Sequence, residues 1–60
     1  MIKLTITDGN YDIYIAVHHI IELRPTGTGG TTVLLPNGPT VVNEPPVRIL
    51  ELIGLNDSYG

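Results

Sequence analysis

Apolar and polar residues alternate with a period of two at the start of the chain, Ile2, Leu4 and Ile6 against Lys3, Thr5 and Thr7. Such an alternation, rich in β-branched side chains, predicts a strand buried on one face. Asp8-Gly9-Asn10 follows, and Gly and Asn tolerate the positive φ of a tight turn. The alternation resumes over 11–16, with Tyr11, Ile13 and Ile15 on one face and Asp12, Tyr14 and Ala16 on the other. Residues 1–16 therefore read as a hairpin. Val17-His18-His19 reorients the chain ahead of a third strand over 20–25, which Pro25 ends because proline cannot continue a ladder. Thr26 to Gly30 reads as a loop, 31–36 as a fourth strand, Asn37-Gly38 as a two-residue hairpin turn and 39–43 as a short fifth strand. Beyond Glu44-Pro45-Pro46, the spacing of Val47, Ile49, Leu50 and Ile53 predicts a helix over 46–53. Pro46 suits its first turn and Gly54 its C-terminal cap.

The fold class that follows is mainly β (α+β). It is a five-stranded antiparallel meander or small SH3-like barrel with one short C-terminal helix, a single domain over 1–54 followed by a flexible tail over 55–60. A helix of two turns is not stable alone. It must pack on the sheet or on a second subunit, which makes Val47, Leu50, Leu52 and Ile53 candidate interface residues.

Length and composition sharpen that expectation. Sixty residues make one domain with a thin core, and the absence of Cys excludes a disulfide as reinforcement. A mean hydropathy of +0.21 leaves more apolar side chains than such a core hides, so a homo-oligomer is expected. Three basic residues, Lys3, Arg24 and Arg48, stand against six acidic ones, for a net charge of −3. That is no basic patch, and duplex nucleic acid is not expected as a partner. No apolar run approaches the roughly 20 residues that cross a bilayer, and no signal segment opens the chain. No membrane association is expected, and the cytoplasm is the expected compartment.

The quoted elements also carry a resemblance. Met1-Ile2-Lys3-Leu4-Thr5, a glycine in the first turn, an Ile-rich segment ending in Pro25, Thr32-Val33-Leu34-Leu35-x-Asn37-Gly38, Val41-Val42-x-Glu44 and a terminal apolar helix resemble the FlbD/SwrD family of small proteins. The resemblance covers roughly residues 1–53. It implies the same small β fold and a protein-interaction role linked to the bacterial flagellar motor. Short proteins of similar pattern also occur in phage genomes, which implies a phage protein acting on a host factor. No catalytic motif comes with the family.

Candidate chemistry is sparse. Ser58 is the single serine, Cys is absent, and the threonines lie on predicted strands or in the loop, so a nucleophile–His–acid arrangement lacks its parts and no enzyme is expected. His18 and His19 are adjacent, so on a strand they point to opposite faces, and no further ligand follows at metal spacing. Neither a metal nor a cofactor is expected. Thr26-Gly27-Thr28-Gly29-Gly30-Thr31 offers successive N–H groups and small hydroxyls, the ingredients of an anion-binding nest, with Arg24 just ahead as a bidentate phosphate donor. The loop joins two strands and lacks a following Lys, so it is neither a Walker A loop nor a dinucleotide fingerprint. Its plain reading is a hairpin tip. Tyr11 and Tyr14 fall on opposite faces, one for the core and the other for stacking or an interface.

Two functions follow. The first is a non-catalytic homo-oligomer that sequesters a small phosphate-bearing molecule, a nucleotide-type immune signal, between subunits as a phage anti-defence sponge. Its candidate ligand residues are Arg24, Thr26, Gly27, Thr28, Gly29, Gly30, Thr31, His18, His19 and Tyr14. The second is the protein-interaction module that the family resemblance implies, working through strand edges and the helix.

Overall fold

The computed structural model describes residues 1–57. It is mainly β, with strands β1 (Ile2–Thr5), β2 (Asp12–Ile15), β3 (Glu22–Pro25), β4 (Thr31–Leu35) and β5 (Gly38–Val42), then helix α1 (Pro46–Asp57). All pairings are antiparallel, and the strands form two small sheets, β1-β2 and β3-β4-β5. The first alternation folds as expected. Ile2 and Leu4 are buried with Ile15 across from Ile2, while Gly9 (φ 93) and Asn10 (φ 51) supply the positive φ of the connecting turn. Val17–His19 forms a single 3-10 turn that swings the chain from one sheet to the other.

The two sheets join where β1 runs on past its pairing with β2. Ile6 bridges Val42, the Thr7 N–H donates to Val41 O (3.0 Å) and the Asn43 N–H donates to Thr5 O (2.9 Å). The spatial order is thus β2-β1-β5-β4-β3, with the first and last strands side by side. β5 ends at Val42, and the Glu44 side chain takes over its role. Both carboxylate oxygens accept from the Thr5 N–H (2.9 and 3.1 Å), and the Glu44 carbonyl accepts from the fully buried Thr31 hydroxyl (2.7 Å). Glu44 therefore ties β1 to β4 at the point where the chain leaves the sheet.

Three local expectations shift, each for a physical reason. The β4–β5 turn is Pro36-Asn37 rather than Asn37-Gly38, since Leu35 already pairs with Gly38. A proline ring fixes φ near −65° and suits the first corner of a turn, so the positive φ falls on Gly38 (φ 127) just after it. The helix runs through Gly54 to Asp57, and Gly54 has no positive φ with which to cap it. Packing of Leu52 and Ile53 on the core carries the helix past the glycine. Residues 58–60, the rest of the expected tail, lie outside the described residues. Both Tyr11 and Tyr14 are exposed, so neither is a core residue. The Tyr11 ring lies over the Cα of Gly9 instead.

The core consists of Ile2, Leu4, Ile15, Val33, Val42 and Ile49, with Thr31 the one buried polar residue among those described. α1 lies against β1 and β3 and inserts Ile49 between the sheets. β3 forms one outer edge of its sheet. The Thr26 N–H donates inward to Gly30 O (3.1 Å), so the alternation of the strand turns the nitrogen of Pro25 toward the open side. No ladder bond is lost to the proline there.

Candidate functional site

A concavity of about 530 Å³ lies between the first hairpin and the Pro36-Asn37 turn. Ile15, Ala16, Leu35 and Pro36 give it an apolar floor, and Met1, Tyr14, His19 and Asn37 complete the walls. A small-molecule site typically occupies roughly 300–1,000 Å³ with a few convergent polar groups on an apolar lining. The fold positions each group for a local reason. Tyr14 is on the outward face of β2 because Ile13 and Ile15 take the inward one. His19 is carried to the cleft by the 3-10 turn, and Asn37 stands at the tip of the turn that Pro36 dictates.

Of the residues singled out in the sequence, the fold brings Tyr14 and His19 together in this cleft. His18 is exposed on the same turn but does not line it. Arg24 belongs to another surface, a shallow depression of about 260 Å³ on the outer face of β3-β4-β5, lined by Glu22, Arg24, Thr32, Leu34 and Pro39. Arg24 is paired there with Glu22, and the hydrogen bond that its Nε–H donates to that carboxylate raises the guanidinium pKa above its ordinary value. Thr32, the cross-strand partner of Arg24, is three residues along β4 from Leu35, or about 10 Å.

The glycine loop closes on itself. The Thr28 and Gly30 N–H groups donate to Thr26 Oγ1 (3.4 and 3.1 Å), and Thr26 Oγ1 lies 3.0 Å from Thr28 Oγ1. The Thr26 hydroxyl thus sits where a nest would hold an anion. Gly29 supplies a positive φ (96°), and Gly27 is open to solvent. Gly30 and Thr31 are buried. A Cβ on Gly30 would run into the Val42 carbonyl, and the Thr31 hydroxyl is committed to Glu44.

The helix residues divide. Val47 and Leu50 are 63% and 58% exposed, whereas Leu52 and Ile53 are half-buried against the core of their own chain. Leu52 and Ile53 therefore support the fold, and Val47, Leu50 and Leu55 are the outward apolar residues of α1. No three His, Asp or Glu side chains gather at metal-binding distance among the described residues. Ser58 lies outside them. Asn37, Met1 and the apolar floor were not singled out by the sequence, because a turn residue and a strand terminus carry no chemical signature until the fold closes around them.

No helix among the described residues is long and apolar enough to cross a membrane. No family profile, no curated protein and no solved structure matches the chain.

Proposed function

We propose that this chain is a non-catalytic, homo-oligomeric binding protein whose cleft receives the flat ring of a nucleotide-type small molecule. The observation that carries the reading is the cleft itself, an apolar floor under an exposed tyrosine ring with an imidazole and an amide at its rim. A base stacks on Tyr14, and the Asn37 amide and His19 offer a donor and an acceptor to its polar edge. Stacking on an aromatic side chain contributes about 1–3 kcal/mol per base. Tyr14→Ala is therefore expected to weaken binding of a nucleoside monophosphate at least about fivefold. Isothermal titration checks this, and equal affinity in the two proteins rules the cleft out. Sequestration of an immune signal by a phage protein is the biological setting that suits a stoichiometric binder of this size.

A second reading, a protein-interaction module such as the FlbD/SwrD resemblance suggests, is favoured by the outward Val47 and Leu50 on α1. Leu50→Glu separates self-association from docking to another protein, because Leu50 lies outside the core. If copies of this chain meet through α1, the variant sediments at a lower mass while keeping its melting temperature. An unchanged sedimentation coefficient assigns the face to a different partner.

A further inference from the structure

We propose that the cleft selects an aromatic ligand bearing an anionic group, and that Lys3 is the residue that holds that group. The inference rests on the reading of the cleft as the binding site and names the chemistry of its ligand.

The register of the first hairpin places Lys3 directly opposite Tyr14. Cross-strand partners share a face, with Cβ atoms about 4.5–5.5 Å apart. Lys3 therefore stands on the outward face beside the ring that walls the cleft, and its four-carbon stem is long enough for the ammonium to reach the ring edge. That is where a substituent on a stacked ring emerges. Lys3 is exposed, and no ion pair engages it among the described residues.

The other Lys and Arg side chains are placed elsewhere. Arg24 is paired with Glu22 on the outer face of the three-stranded sheet, and Arg48 is on α1. The cleft walls contain no carboxylate, and they include the His19 imidazole. Asp12, diagonal to Lys3 on β2, lies one pleat further from the cleft and pairs across the strands with Thr5. An anion entering beside Tyr14 thus meets Lys3 and His19 and no negative side chain of the lining. A phosphate and a carboxylate share this chemistry.

The test uses the full chain, titrated with the four ribonucleoside 5′-monophosphates and with the corresponding uncharged nucleosides. Lys3→Met keeps the apolar stem and removes the charge, and its melting curve reports whether the hairpin is intact. In the wild type at low salt, at least one monophosphate is expected to bind about fivefold more tightly than its nucleoside. Lys3→Met brings that ratio to about one while leaving nucleoside affinity unchanged, and high salt does the same in the wild type. Equal binding of nucleotide and nucleoside by the wild type, or a ratio that survives Lys3→Met, overturns the role of Lys3 and leaves the cleft standing. Binding of no nucleoside or nucleotide overturns the cleft reading, and the anion anchor with it. Aromatic carboxylates in a parallel titration distinguish a phosphate preference from a general anionic one.

Discussion

Gly30→Ala is expected to cost about 3 kcal/mol or more and to remove most of the cooperative melting transition. Gly30 is buried just ahead of β4, where its Cα faces the backbone of β5, and an added methyl group overlaps the Val42 carbonyl oxygen. The obstacle is main chain within a sheet, so it cannot rotate away as a side chain would. Overpacking of a core typically costs about 1–3 kcal/mol, and a clash with paired backbone belongs at or above the top of that range. A domain this short holds only about 3–5 kcal/mol in reserve. Gly27→Ala in the same loop is the control. A Cβ there meets nothing within 4 Å, so the change is expected to stay within about 0.5 kcal/mol of neutral. Urea and thermal melts followed by circular dichroism check both. A Gly30→Ala protein that melts like the wild type would show that β4 and β5 do not approach as described.

The second large effect is at Glu44. Its carboxylate stands in for a strand carbonyl at Thr5, continuing the β1–β5 ladder by one more bond after the backbone has turned toward α1. A hydrogen bond to a charged group is worth about 1.5–3 kcal/mol, and Glu44→Ala is expected to lose that amount. Glu44→Gln keeps an acceptor and is expected to lose about half as much. Hydrogen exchange gives the local signature, with the Thr5 amide exchanging faster in Glu44→Ala than in Glu44→Gln. If the Thr5 amide exchanges at the wild-type rate in both, Glu44 does not close the sheet.

Much of the fold is legible from the alternation of side chains alone. A period of two identifies the faces, and Ile2, Leu4 and Ile15 are buried as it requires. Turn positions are less legible, because two local rules compete at Pro36-Asn37-Gly38. Asn-Gly favours a turn of its own, and the rigid ring of Pro36 prevails by taking the first corner. Gly54 is a similar case, where helix packing outweighs the tendency of glycine to end a helix. The site is harder still, since a pattern of faces does not say which end of a strand a residue occupies. Tyr14 and His19 were visible as chemistry, whereas Lys3 appears in the sequence only as the solvent face of a strand. Its position beside Tyr14 exists only in the register. The sequence offers the glycine loop either as a hairpin tip or, with Arg24, as an anion nest, and only the fold shows the loop amides turned to the Thr26 hydroxyl and Arg24 paired with Glu22.

The open side of β3 bears on how this protein behaves when crowded. An outer strand with all its donors intact is a template on which further chains can stack into fibres. Here the nitrogen turned outward at Pro25 carries no hydrogen, and Glu22 and Arg24 set opposite charges along the same rim. A further strand approaching that flank therefore meets a missing donor and a charged rim, and extension of the sheet there is disfavoured.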